Sequence, residues 1–133
     1  MPTMKLFLFS WGLVILSAVC DSYAAFIVKL KLNEFSLGNL GLLDLVTSFL
    51  GKVAGSPLLI SAGVAFVLAP FLWFLGLSRL ELSAAYPANV IMHLLLIFLF
   101  STLFLGEMVT AKKLAGACLL LFSLYLFFSP SSA

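Results

Sequence analysis

The sequence predicts an all-α integral membrane protein of four transmembrane helices, with a candidate interfacial helix between the first and the second. Three observations carry that expectation. Hydrophobic residues make up 64% of the chain and charged residues 9%, and the mean hydropathy is +1.27, which leaves too little polar surface for a water-soluble domain. Four segments approach or reach the ~20 apolar residues that a helix needs to cross a bilayer. The links between the last three are short, so neighbouring helices must run antiparallel. With 133 residues, the chain reads as one four-helix membrane domain over 1–133, without room for a separate soluble domain. A net charge of +2 is far too small to suggest nucleic acid, so the partner that composition implies is the lipid bilayer.

The first helix is expected over about 6–30. Lys5 precedes an apolar run reaching Leu16-Ser17-Ala18-Val19-Cys20, loosely like a lipoprotein cleavage box, but Val19 is the wrong residue before such a cysteine. Cleavage after Ala24 would satisfy the small-residue rule. The run continues through Phe26 and Val28, however, as a retained helix would. In the connection that follows, Leu40, Leu43, Val46, Phe49, Leu50 and Val53 recur at helical spacing, with Asp44, Thr47, Ser48 and Lys52 between them. Two readings remain for this stretch: an interfacial helix over 40–53, or the lower part of the second membrane helix, broken by Gly55-Ser56-Pro57.

The second and third spanning helices are expected over 57–78 and 83–105, and the fourth over 111–128. Ser78 to Leu82 and Gly106 to Thr110 supply the tight links. The last helix is uninterruptedly apolar only from Leu114 to Phe128, so it spans if Lys112 and Lys113 snorkel back to the interface. Lys29, Lys31, Lys52, Lys112 and Lys113 then flank one membrane face, and Lys5, Arg79 and the N-terminal amine the other. That bias places both termini outside the cytoplasm.

Little in the chain suggests enzyme chemistry. Cys20 and Cys118 both fall within spans, where small apolar packing is the ordinary role and a disulfide framework has none. There is one histidine, no glycine-rich phosphate loop, no metal-ligand spacing and no Ser/His/Asp set in loops. No enzymatic activity, metal or cofactor is expected.

Asp21 is the exception in this apolar composition. An acid near the middle of a membrane helix costs about 2.5 to 3.5 kcal/mol on insertion scales, so it is retained where it faces a partner or a water-filled path. Ser10, Ser17, Ala18, Ala24 and Ala25 lie three, four or eleven residues from it and are all small, as a close helix contact needs. Leu16, Phe26 and Leu30 populate other directions. Asp21 is therefore expected to point into the protein or a protomer interface, where it finds a partner or takes up a proton because burial disfavours bare charge.

A second polar cluster lies on the third helix, where Tyr86, Asn89 and His93 are spaced three and four apart and so stack along one face. At ~1.5 Å per residue, Asp21 lies roughly 13 Å, and His93 roughly 18 Å, from the same membrane face. Asp21 and His93 are expected to line one cavity near the midplane. A purely structural role is the alternative, since polar side chains often do no more than hydrogen-bond between membrane helices at ~0.6 to 2 kcal/mol each. Pro70 and Pro87 add bends, which membrane helices also tolerate for structural reasons.

The run Trp73-Phe74-Leu75-Gly76-Leu77-Ser78-Arg79-Leu80-Glu81-Leu82-Ser83-Ala84-Ala85-Tyr86-Pro87, followed by Gly106-Glu107 and Gly116, resembles the drug/metabolite transporter superfamily in its four-helix, EamA-like form. The resemblance covers roughly Pro57 to Phe128. Helix one fits as well, because Asp21 precedes Lys29 by eight residues and the small multidrug resistance family carries its membrane glutamate eight before a lysine. By that resemblance Asp21 falls at the proton- and substrate-binding position. Three departures qualify it: Asn89 stands where those proteins have an aromatic-box tryptophan, Asp replaces Glu, and the connection from Leu30 to Pro57 has no counterpart. Ala85-Tyr86-Pro87 is similar to the Ala-Tyr-Pro of the subunits that flip aminoarabinose linked to undecaprenyl phosphate.

The resemblance implies a multi-pass protein of the cytoplasmic (inner) membrane, paired with a second copy or a sister four-helix subunit and with the site between them. The function it implies is translocation of a lipid-linked sugar or similar amphiphilic metabolite. Lys29, Lys31 and Arg79 would attract its phosphate at the two interfaces, while Asp21, Tyr86, Asn89 and His93 would line the path of its polar head. Flanking basic residues also serve simply as topology signals and anchors. The alternatives are a proton-coupled exporter of small cations, with Asp21 exchanging proton for substrate, and a non-transporting membrane subunit of a glycolipid assembly complex.

Overall fold

The computed structural model describes residues 2–32 and 41–129, which form five helices: α1 (Pro2–Leu32), α2 (Leu42–Gly55), α3 (Pro57–Leu77), α4 (Leu82–Phe104) and α5 (Ala111–Phe128). Four of these, α1, α3, α4 and α5, are long and apolar enough to cross a membrane. They correspond to the four expected spans and point to a multi-pass membrane protein. Their large apolar side chains lie mostly on the outside, as Phe66, Phe71, Phe74, Leu103 and Leu119 do.

Helix boundaries follow local chemistry. Ser56, in extended conformation (φ −119°, ψ 111°), ends α2 and caps α3, accepting from Leu59 N at 3.5 Å, and Pro57 occupies the first helical turn, where a missing N–H costs nothing. The stretch before it is thus a separate helix, divided from α3 at the expected Gly55-Ser56-Pro57 break. It begins at Leu42; Leu40, where the expected helix starts, lies outside the described residues. Thr110 caps α5, accepting from Lys113 N at 3.3 Å. At the end of α4, Gly106 takes φ +64°, a left-handed conformation that only glycine adopts readily, and the Glu107 N–H turns back onto Ser101 O at 3.2 Å.

The organising element is α1, against which both α3 and α4 pack. The α1–α3 contact is antiparallel: Gly76 meets Ser10 and Val14 at one end, while Leu59 and Ala62 cluster with Ala24 and Ile27 at the other. Small residues permit it. Ala62, Ala69 and Gly76 are buried at intervals of seven on α3, opposite buried Ser10, Val14, Ser17 and Ala24 of α1, as a closely packed left-handed helix pair requires. Buried Ser17 donates to Ala69 O at 2.8 Å. Tyr23 and Ser61 share a 2.9 Å hydrogen bond, and since the Ser61 hydroxyl already donates to Leu58 O at 2.7 Å, Tyr23 is the donor.

The α1–α4 contact is parallel, with Ser22 against His93 and Phe26 against Phe100 and Phe104 at ring-centroid distances of 5.6 and 5.5 Å. Ala85, Ala88 and Ile91 are the buried residues of α4. Peripheral α5 packs on α4, has no buried residue, and touches α1 through Phe128, whose ring lies 5.2 Å from that of Trp11. Of the small residues expected to pack with Asp21, Ser10, Ser17, Ala18 and Ala24 are buried, but Ala25 is exposed. Ala25 stands one turn beyond Asp21 and borders two cavities, one walled by α2 and α3 and the other by α4.

Candidate functional site

Asp21 stands between the two helices that flank α1. On one side its Oδ2 lies 3.4 Å from Nδ1 of His93 on α4. On the other it lines a cavity of about 450 Å³ whose remaining wall is formed by Ala24, Ala25 and Val28 of α1, Phe49, Leu50 and Val53 of α2, and Leu59, Ala62, Gly63 and Phe66 of α3. Among the described residues of that wall, the carboxylate is the only charged group. Its side chain is 42% exposed, against 24% for His93, so it borders the cavity without being sealed off. The volume falls within the ~300–1,000 Å³ of ordinary small-molecule pockets.

A third residue completes the contact. Ser22 has 0% exposure, and its Oγ lies 3.0 Å from His93 Nδ1 and 3.5 Å from His93 O. Sequence reasoning missed it, because faces were counted in steps of three and four from Asp21, whereas Ser22 is turned by 100° toward α4. The available signal was a hydroxyl next to an acid within an otherwise apolar run. Serine adds a partner that can either donate or accept.

The other expected site residues are spread along the helices. Asn89, one turn before His93, keeps its Oδ1 out of solvent with no hydrogen-bond partner among the described residues. Tyr86 is 59% exposed and packs edge-on against Trp73 at 6.2 Å, two turns or ~10 Å from His93. It is not brought to Asp21. Lys29 borders a separate cavity of about 260 Å³ between α1 and α4, together with Phe26, Phe100, Ser101 and Glu107. Lys31 lies in the last turn of α1, and exposed Arg79 lies in the α3–α4 turn at the opposite end of the bundle. With α3 spanning ~30 Å, Arg79 and the two lysines cannot hold one phosphate together. Among the described residues no group of three His, Cys, Asp or Glu side chains could hold a metal ion.

Chemically, the arrangement offers an acid with one face toward an apolar chamber and the other toward the His93 imidazole. Such a carboxylate can accept hydrogen bonds from a polar head group or pair with a cation, while the chamber takes up apolar surface. Comparison with family models, with curated proteins and with solved structures finds no match to this chain.

Proposed function

We propose that this chain is a translocator of the drug/metabolite transporter type in the inner membrane, moving a lipid-linked sugar or similar amphiphilic metabolite. The observation that carries this reading is the position of Asp21 at the wall of an apolar cavity of about 450 Å³, held from behind by His93. The apolar part of the substrate occupies the chamber, and its hydroxyl-bearing head bonds to Asp21. Lys29 and Lys31 at one end of α1, and Arg79 at the other membrane face, attract phosphate as the head enters or leaves. Helix α2 lies at the interface and forms the outer wall with Phe49, Leu50 and Val53. A second copy or a sister subunit covers the open side, since midplane sites of transporters commonly lie between repeats.

One observation favours a second reading, a proton-coupled exporter of apolar cations: among the described residues, no basic side chain lines the chamber that Asp21 borders. Proton and cation then compete for one carboxylate, which is the coupling.

The test is transport or growth with Asp21→Asn and Asp21→Glu at matched expression. Losing a charge-assisted hydrogen bond predicts a roughly ten- to hundredfold loss in Asp21→Asn, with part of the activity kept in Asp21→Glu. Loss of drug resistance without change in lipid modification selects the cation reading. Unchanged activity in both variants rejects proton coupling and the central role given to Asp21, and growth that depends on the protein with no transport in any variant selects a non-transporting subunit.

A further inference from the structure

Nδ1 of His93 has two neighbours with different freedoms. Asp21 Oδ2, at 3.4 Å, borders the chamber and is partly exposed; Ser22 Oγ, at 3.0 Å, is fully buried and, among the described residues, has His93 O as its other partner. An ionised carboxylate only accepts, so the Asp21 contact is favourable only while Nδ1 carries a proton. A hydroxyl both donates and accepts, so the Ser22 contact survives either tautomer.

We infer that Ser22 is a positioning residue that keeps His93 anchored to α1 whenever Asp21 is taken by a ligand or a proton. This deepens the proposed transport site and rests on that reading for its purpose, but its geometry stands apart from any substrate. While Asp21 is unoccupied, Nδ1–H is shared between the carboxylate and the Ser22 oxygen, and the Ser22 hydroxyl turns to His93 O. When Asp21 is engaged elsewhere, Nδ1 keeps Ser22 as its partner. The half-buried imidazole is therefore not left without a partner, and releasing Asp21 does not carry the desolvation penalty of an orphaned ring nitrogen. The α1–α4 contact is thereby held through the exchange.

The chain contains a single histidine, so ¹⁵N-histidine labelling of the whole protein in lipid nanodiscs gives one imidazole signal pair to read. Asp21→Ala removes the exchangeable partner, and Nδ1 is expected to stay hydrogen-bonded through Ser22. The tautomer ratio should move about fivefold away from Nδ1–H, the equivalent of one ordinary net hydrogen bond. In the double variant Asp21→Ala, Ser22→Ala the Nδ1 hydrogen bond is expected to be lost, and Ser22→Thr in the Asp21→Ala background should restore it, which a mere packing role would not do. An Nδ1 signal that is already unbonded in Asp21→Ala, or that is the same in single and double variants, overturns the inference. Transport that survives Asp21→Asn while the histidine signals behave as expected would sink the reading of Asp21 as the transport site and leave the Ser22 role standing.

Discussion

Asp21 and His93, 72 positions apart in sequence, meet with Oδ2 and Nδ1 3.4 Å from each other across the boundary between α1 and α4. A double-mutant cycle with Asp21→Asn and His93→Gln, read by unfolding in mixed micelles, should give a coupling energy of about 0.6 to 1.7 kcal/mol, the range for polar contacts between membrane helices. Coupling indistinguishable from zero would mean that the two side chains do not interact in the folded protein.

Gly76 fixes how closely α1 and α3 approach. A Cβ there would lie 2.9 Å from both Ser10 O and Val14 Cγ2, and the first of these is backbone, which cannot swing aside. Gly76→Val is expected to destabilise the fold by about 1–3 kcal/mol, as overpacking does. Gly12→Ala meets no atom within 4 Å and serves as the control; equal stability of the two variants would refute the close-approach account.

Gly63 allows the chamber to be filled without disturbing the bundle. It lines the cavity, and its Cβ position has no neighbour within 4 Å. Gly63→Phe should leave the folded helix content unchanged while occupying part of the 450 Å³ cavity. Binding of a fluorescent single-chain amphiphile, measured by quenching, is expected to weaken at least about tenfold. Undiminished binding would place the ligand elsewhere.

Phe128 ties α5 to α1 through its edge-on contact with Trp11 at 5.2 Å and 71°. An aromatic pair of this kind contributes about 0.5–1.5 kcal/mol beyond area burial. With α5 otherwise packed only on α4, Phe128→Ala should raise hydrogen exchange in the C-terminal half of α5 and leave α1 unaffected. Equal acceleration along α1 would show that α5 is integral to the core.

Apolar runs and turn residues announce the helices of this chain because length, hydropathy and capping are local properties. Leu114 to Phe128 marks α5, Ser56-Pro57 starts α3, and Gly106 ends the α4 segment, each from its own neighbourhood. The cost of an acid in an apolar run singled out Asp21 in the same local way, and depth along the helices placed His93 at a comparable level. Ser22 escaped notice because nothing near it in sequence shows that α4 lies on its side of α1. Spacing puts Tyr86 on one stripe with His93, yet spacing says which residues share a stripe and not which stripe faces a neighbour.

The sequence by itself determined four apolar helices, their limits to within a few residues, their alternating directions and the residue too expensive to leave unexplained. Only the tertiary structure decided that α1 lies between α3 and α4, that α2 is a separate helix bordering a chamber, and that Asp21 touches His93 while Ser22 stands behind it. The reason is physical: a helix forms from contacts three and four residues apart, whereas its rotation about its own axis is set by which small residues let another helix approach, here Gly76, Ala69 and Ala62 against Ser10, Val14, Ser17 and Ala24.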